Sequence, residues 1–326
     1  MDPKKRLVLF VTDKGFLVPT LSVARQVIRQ NILQHADVYI YLVDVEKALQ
    51  EKVQQDFAPY GIKFVALENK DFLPSGDTRF RTGHVPYTTL ARLVLTDFIP
   101  EQYEHILYLD GDTQLVGDIT PLVLMDVPEG KIATVNGSMW LKHGKQGFDV
   151  ESYLKGLGGV TAEEYFNAGV LAFRRSTWAE MGPAALKFFF DNSEACYFHD
   201  QSALNATCKG RRVALPPAYN FHSEYAKLLV QYLGYKPRIV HFTGKTKPWS
   251  YAVLPWGARF ARPYVDLVTE YPYLREYLKV SPPASLLWQF LRDGKGLLQL
   301  LKDFSAMRKN AALFRKYVKT TDFYIQ

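Results

Sequence analysis

Short apolar runs alternate with amphipathic stretches through the first half of the chain. Leu7–Val11, Val38–Val43, Lys63–Leu67 and Ile106–Leu109 are apolar, β-rich and of strand length. Between them, Leu21–Gln30 has helical spacing with Pro19 near its start, and Glu46–Phe57 is a polar helical stretch. Thr88–Phe98 places Leu90, Leu93, Val94 and Phe98 at helical spacing before Pro100 stops it. Strand and helix alternating at this spacing predict an α/β fold on a mostly parallel sheet.

The second half is less regular. Val170–Phe173 and Ile239–Phe242 read as strands and Pro183–Phe190 as a helix, while the Gly- and Lys-rich Met139–Thr161 reads as a long loop. After Trp256 the pattern turns helical, with a break at Pro282-Pro283. The division expected is one α/β unit over residues 1–255 and a helical extension over 256–326.

Composition narrows the class. With 326 residues, 48% hydrophobic and 14% aromatic, the chain can bury a large core, which excludes disorder as its main character. Cys196 and Cys208 cannot make a disulfide framework and sit in no Cys-x-x-Cys pattern, which favours a reducing, cytoplasmic compartment. No run of about 18 apolar residues is present to span a bilayer. Lys4-Lys5-Arg6 precedes an apolar run too short for the core of a secretory leader, so that run reads as a first strand.

The net charge of +7 is concentrated at one end: Ser281–Gln326 holds eight basic residues against three acidic ones. There Leu286, Leu287, Trp288, Phe290, Leu291, Leu297, Leu298, Leu301, Phe304, Leu313, Phe314, Tyr317 and Val318 are interleaved with Lys and Arg. Such a pattern gives amphipathic helices with basic faces, able to lie on an anionic membrane surface. The plainer alternative packs the apolar face on the core. Nucleic acid is not expected as a partner, because no recognition motif is present.

The most informative segment is His105-Ile-Leu-Tyr-Leu-Asp110-Gly111-Asp112. Ligands of open α/β sheets bind beyond the carboxyl ends of strands. Two carboxylates there cannot both stay charged and desolvated without a cation. Mn²⁺ or Mg²⁺ answers that need and commonly takes phosphate oxygens as further ligands. Gly111 would let the backbone turn and a diphosphate approach. The alternatives are a solvated turn, or a phosphatase of the haloacid dehalogenase type whose first Asp is a nucleophile. Gln114, where that type has Thr or Val, and the motif's distance from the N-terminus count against the phosphatase.

A second cluster, Ile239-Val-His241-Phe-Thr-Gly244-Lys-Thr-Lys247-Pro-Trp249, puts a candidate third ligand, a flexible turn and an ammonium able to hold a phosphate in one loop after a strand. Alone, His241 reads as a hydrogen-bonded structural histidine; Lys247 and Pro-Trp at this spacing favour the ligand.

Together the motifs resemble family 8 retaining glycosyltransferases, the group that includes bacterial lipopolysaccharide galactosyl- and glucosyltransferases and glycogenin. The resemblance spans roughly residues 7 to 255. It rests on Tyr108-Leu-Asp110-Gly-Asp112 with Gly117-Asp118-Ile-Thr-Pro121-Leu122, on Phe166-Asn167-Ala168-Gly169-Val170, on Asp200-Gln201-x-x-x-Asn205, and on the complete His-x-x-Gly-x-x-Lys-Pro-Trp.

The resemblance implies a GT-A-like mixed sheet flanked by helices. It implies transfer of galactose or glucose, with retention, from a UDP-sugar to an acceptor glycan or glycolipid such as lipopolysaccharide. Asp110, Asp112 and His241 would hold Mn²⁺, or Mg²⁺ in its place. Gly244 and Lys247 would contact the diphosphate, with Gly111 beside it. Asp13 would meet the uracil edge and Phe16 stack on it. Arg92, Asn167, Asp200 and Gln201 would surround the donor sugar, and His84 would line the donor–acceptor boundary. Asp200 would orient the sugar and Gln201 stabilise positive charge on it during front-face attack. Thr134–Gly147 should carry acceptor contacts, with Asn136 as its candidate. Lys14 and Gly15 depart from the usual Asp and Asn.

Plainer readings stand beside these. Asp13 would be a strand-end cap, Phe16 core, Arg92 a surface charge, Asn167 a turn residue, and Asp200 a helix cap. The alternatives for the whole chain are a glycogenin-like or protein-directed glucosyltransferase, and a sugar-nucleotide-binding scaffold docked at the membrane. The expected location is the cytoplasm, peripheral to the inner face of the membrane.

Overall fold

A computed structural model describes residues 5–71, 88–141, 148–250, 255–278 and 304–325, together with Gly294. The N-terminal part runs β1 (Arg6–Thr12), α1 (Leu17–Arg29), β2 (Asp37–Val43), α2 (Lys47–Phe57), β3 (Ile62–Leu67), α3 (Thr88–Ala91), β4 (His105–Leu109), β5 (Thr113–Leu115) and α4 (Thr120–Val123). Then come β6 (Ile132–Asn136), α5 (Val150–Gly156), β7 (Phe166–Arg174), α6 (Arg175–Asp191), α7 (His199–Thr207), β8 (Arg212–Ala214), β9 (Phe221–His222), α8 (Ser223–Ala226) and β10 (Ile239–His241). Helices α9 (Arg262–Glu270) and α10 (Phe304–Thr320) follow.

The main sheet has the strand order β3-β2-β1-β4-β7-β6-β8. Strands β1 to β4 pair in parallel, whereas β7 runs antiparallel to both β4 and β6. The sheet is therefore mixed, and the parallel expectation holds for its first half. A second sheet, β5-β10-β9, lies beside it.

Apolar runs are continuous in β1 because both of its faces are covered. Val8 and Phe10 point into a core with Val27 of α1 and Val53 of α2. Leu7, Leu9 and Val11 point the other way, onto Leu90, Leu93, Trp178 and Met181. The result is three layers, helix on sheet on helix.

Several expected elements shift. Thr88–Phe98 is one α-turn followed by a 3-10 turn at Arg92–Asp97. Carbonyls of that turn are engaged from α6: Trp178 Nε1 donates to the Arg92 carbonyl at 2.8 Å, and the Gly182 backbone lies against the Leu93 carbonyl. Helix α6 begins at Arg175 and contains Pro183 in its interior, where the sequence pattern starts the helix at that proline. The expected loop Met139–Thr161 contains α5, capped by Asp149, whose carboxylate accepts the Ser152 N–H at 3.1 Å. Strands β5, β6, β8 and β9 are too short or too polar to stand out by periodicity.

Residues beyond 255 join the main core: Trp256, Phe260, Tyr264, Leu267 and Phe314 belong to the same apolar cluster as β1. In α10, Phe314 packs against Tyr225 and Tyr235, each at 5.0 Å between ring centroids. Ala311 and Phe314 of that helix are thus covered by protein, while Phe304 at its start is 49% exposed. The tail positions from Ser281 to Asp303, apart from Gly294, lie outside the described residues. No helix among the described residues is long and apolar enough to cross a membrane. Cys196 and Cys208 are free and buried.

Candidate active site

The chain leaves β1 for β2 and β3 on one side, then crosses to β4 on the other, so the sheet switches direction between β1 and β4. Such a switch point is where open α/β sheets bind ligands. Asp13 follows β1 and Asp110 follows β4. The Asp110 N–H is held by the Gly169 carbonyl at 2.8 Å, and Thr113 closes the turn with its N–H and hydroxyl on the Asp110 carbonyl, at 3.2 and 2.8 Å.

His241 reaches the same place from the second sheet, where β10 pairs with β5 in the register His241↔Thr113. Asp110, Asp112 and His241 each offer a ligand atom, all within 4.8 Å of one another. His241 Nε2 lies 3.1 Å from Asp112 Oδ1 and 3.8 Å from Asp110 Oδ2.

Hydrogen bonds decide which face of the imidazole is turned inward. The Gly169 N–H can only donate, so the Asn167 atom 3.0 Å away is its oxygen. Asn220 Nδ2 donates to that same oxygen at 2.7 Å. The remaining Asn220 atom is its oxygen, and it lies 2.9 Å from His241 Nδ1, which must carry the hydrogen. Nε2 therefore faces two carboxylates with nothing but repulsion between lone pairs, unless a cation or a proton lies between them. An O,O,N donor set suits Mn²⁺ or Mg²⁺, so the residues present fit a divalent ion.

Arg92 organises the other side. It is only 6% exposed. Its Nη2 is 2.9 Å from Asp110 Oδ1, and its Nε is 3.1 Å from Asp200 Oδ2. The single Nε–H donates to the Thr89 carbonyl at 3.2 Å, and Nη1 donates to the Ala168 carbonyl at 2.9 Å. The Asp200 contact is thus an ion pair without a hydrogen bond of its own. Tyr108 donates to Asp110 Oδ1 at 2.8 Å and lies under the guanidinium, 4.6 Å from ring centroid to Cζ. Burial opposes the charge on Arg92, but Asp110 and Asp200 outweigh it and hold the guanidinium charged. Burial also pushes the Asp200 carboxyl up to about 6, against the pull of Arg92 and with a further push from Asp110. Burial works against ionisation of Asp112 as well, yet the Lys247 ammonium holds its carboxyl well below the usual range. Lys247 Nζ donates to Asp112 Oδ2 and to the Phe242 carbonyl, each at 2.6 Å.

Residues 7–252 match the profile of Glycosyl transferase family 8. The chain belongs to that family.

The relatives agree. General stress protein A of Bacillus subtilis is 22% identical over 78% of this chain and 88% of its own. A lipopolysaccharide 1,3-galactosyltransferase of Salmonella typhimurium is 25% identical over 79% and 75%. Glycosyltransferase GlyE of Streptococcus pneumoniae is 24% identical over 77% of this chain, which spans 58% of that longer protein. Among solved structures, the galactosyltransferase LgtC in complex with donor and acceptor sugar analogs superposes with a TM-score of 0.64 at 19% identity, over 85% of this chain and 98% of that one. The family 8 chain thus has the GT-A fold.

The structure gathers most of the expected residues at this one edge. Asp110, Asp112, His241, Lys247, Arg92, Asp200, Asn167 and Gln201 form one connected network. Asp13 sits at the mouth as a loop cap: its Oδ1 accepts the Gly15 and Phe16 N–H groups at 2.8 and 3.2 Å, and its Oδ2 accepts the Thr88 hydroxyl at 3.1 Å. Phe16 is half-buried, edge-on to Trp249, with Lys247 Nζ 5.7 Å from its ring centroid. Gly244 takes a φ of +87° in open space. His84 lies outside the described residues, as does part of the expected acceptor segment. Asn136 is buried, and its oxygen accepts from Arg212 and Tyr317.

Two expected residues carry structural constraints as well. A Cβ at Gly111 would meet Thr20 Oγ1 at 2.1 Å, so a glycine there admits helix α1. Gln201 turns inward. Its oxygen accepts from Asn167 Nδ2 and the Ala168 N–H at 3.0 and 3.1 Å, and its amide donates to Tyr165 at 2.8 Å.

Sequence reasoning missed Asn220 and the closeness of Gly169, where a Cβ would meet His241 Cε1 at 2.2 Å. Gly169 carried a signal in the Asn-Ala-Gly motif. Asn220, after Pro216-Pro217-Ala-Tyr, carried none.

Proposed function

We propose that this protein is a metal-dependent retaining hexosyltransferase that moves galactose or glucose from a UDP-sugar to an acceptor glycan of the lipopolysaccharide type. One observation carries the reading: Asp110, Asp112 and an Nδ1–H tautomer of His241 converge at the sheet's switch point, with Lys247 already against Asp112. The acceptor class is supported by the relative that acts as a lipopolysaccharide 1,3-galactosyltransferase.

The chemistry such a cation supplies is charge neutralisation on the leaving diphosphate. Lys247 adds a second positive charge, exchanging its bond to Asp112 for a phosphate oxygen. Arg92 keeps Asp110 and Asp200 apart and in place. Asp200 orients the sugar while the acceptor hydroxyl attacks from the face the diphosphate leaves, giving its proton to that phosphate. Gln201 contributes by holding Asn167 and the Ala168 backbone. On α10, Arg308, Lys309, Arg315, Lys316 and Lys319 are all exposed. At 3.6 residues per turn they fall within about 120° of the helix surface, which favours contact with an anionic membrane surface through charge.

The test is UDP release from a panel of UDP-sugars, with Mn²⁺ and with EDTA, in wild type and Asp112→Ala. Release from one UDP-hexose that needs Mn²⁺ and falls at least about 100-fold in the variant is expected. UDP binding with no release from any UDP-hexose, even with a lipopolysaccharide acceptor added, would favour the scaffold reading.

A further inference from the structure

Asn220 is fully buried, at 0% exposure, although it carries a polar amide. It ends a 3-10 turn, Pro217–Asn220, directly before β9. That strand pairs in parallel with β10 in the register His241↔His222 and Val240↔Phe221, which brings Asn220 alongside the candidate cation site. Both ends of its amide are bonded: the oxygen accepts from His241 Nδ1 at 2.9 Å, and Nδ2 donates to Asn167 Oδ1 at 2.7 Å.

The chain of bonds continues without a gap. Asn167 Nδ2 donates to Gln201 Oε1, Gln201 Nε2 donates to the Tyr165 hydroxyl, and Tyr165 meets the Tyr153 hydroxyl at 3.0 Å. Backbone N–H groups of Gly169 and Ala168 pin the two acceptor oxygens in this chain, so neither Asn167 nor Gln201 can flip without breaking a bond. The orientation of every amide in the chain is therefore set from β7.

We propose that Asn220 is a positioning residue: it fixes the tautomer and ring plane of His241 so that Nε2 faces the cation, and through Asn167 it ties that imidazole to Gln201 at the start of α7. This rests on the reading of Asp110, Asp112 and His241 as the cation site. Partners of this kind on metal-ligating histidines set the tautomer and raise ligand basicity, and their loss typically costs about 10- to 100-fold in metal affinity. An asparagine suits this place better than an aspartate. Both can accept from Nδ1, but only the amide can also donate to Asn167, and it adds no third buried carboxylate beside Asp110 and Asp112.

The test measures Mn²⁺ alone binding to the full chain, from the loss of the free-ion electron paramagnetic resonance signal, in wild type, Asn220→Asp, Asn220→Leu and His241→Ala. Asn220→Leu is expected to weaken Mn²⁺ binding about 10- to 100-fold. Asn220→Asp keeps the acceptor on Nδ1 and should stay within about threefold of wild type, while its UDP release slows because the bond to Asn167 is gone. A purely packing role predicts the reverse order, since leucine matches the buried volume and aspartate adds a buried charge. Should leucine prevent folding, Asn220→Ala carries the same expectation. Wild-type affinity in Asn220→Leu with binding lost in His241→Ala, or an Asp variant as weak as the Leu one, overturns the role of Asn220. Wild-type binding that His241→Ala leaves unchanged overturns the cation-site reading itself, and the proposal with it.

Discussion

The polar residues near the site divide by what each one's burial demands. Arg92 and Asp200 are almost inaccessible, so their charges depend on one another and on Asp110. Asp13 is more accessible, and its carboxylate is taken by two backbone N–H groups and Thr88. His222, two residues from Asn220, is buried against Tyr225 with ring centroids 3.9 Å apart, and its Nε2 lies 3.3 Å from the Asn136 carbonyl. Burial, its largest influence, pushes the imidazole down to about 4. The unfolded chain keeps the ordinary value near 6.5, so between pH 6.5 and 4 the unfolded state binds a proton that the folded state refuses. Stability contributed by a neutral His222 is therefore complete above pH 6.5 and lost as pH falls toward 4. Between pH 7.5 and 5 this amounts to about 2 kcal/mol. Asp200, raised rather than lowered, works in the opposite sense, so a comparison with a variant isolates the histidine. Urea unfolding at the two pH values is expected to show a loss in the wild type that shrinks by about 2 kcal/mol in His222→Gln. Equal losses in both proteins would contradict the assignment.

At the scale of elements, glycines and short strands set the spacing of the site. Gly111 lets α1 pass directly over the Asp110–Asp112 turn, with Thr20 as the contact. Gly111→Ala is expected to cost about 1–3 kcal/mol through overpacking. Thr20→Ala in the same chain should recover most of that, which a double-mutant cycle of unfolding free energies would show as a coupling of at least about 1 kcal/mol. Additive effects would mean that α1 is not held by that contact. The parallel strands and the long helices were legible because periodicity reports burial, and β1, β2 and β4 are buried on both faces. The antiparallel β7 was legible as a strand but not in direction, because direction depends on the connection and not on the strand's own residues. Strands β5, β9 and β10 have two or three residues each and exist through pairing. The candidate cation site of Asp110, Asp112 and His241 could be read because its residues sit in dense local motifs. Asn220 could not, because its partners Asn167 and His241 are 53 and 21 positions away and are brought to it only by the two sheets.

Across the whole molecule, two sheets and the C-terminal helix meet around one edge. The main sheet supplies Asn167 from β7 and Asp110 just after β4, the 3-10 turn Arg92–Asp97 supplies Arg92, the small sheet supplies His241 and, just before β5, Asp112, and the loop after β10 supplies Lys247. Helix α10 closes the far side of the small sheet through Phe314 and reaches the end of β6 through Tyr317 and Asn136. The proposed function makes diphosphate binding and cation binding depend on each other, since three donor atoms on the protein would leave the rest of a cation's shell to the ligand. Calorimetric titration of UDP into the full chain, once with Mn²⁺ and once with EDTA, tests this most directly. UDP is expected to bind at least about tenfold more tightly with Mn²⁺, and Asp112→Asn should erase the difference. UDP binding of equal strength with Mn²⁺ and EDTA in the wild type would contradict a cation held by Asp110, Asp112 and His241 against a nucleotide diphosphate.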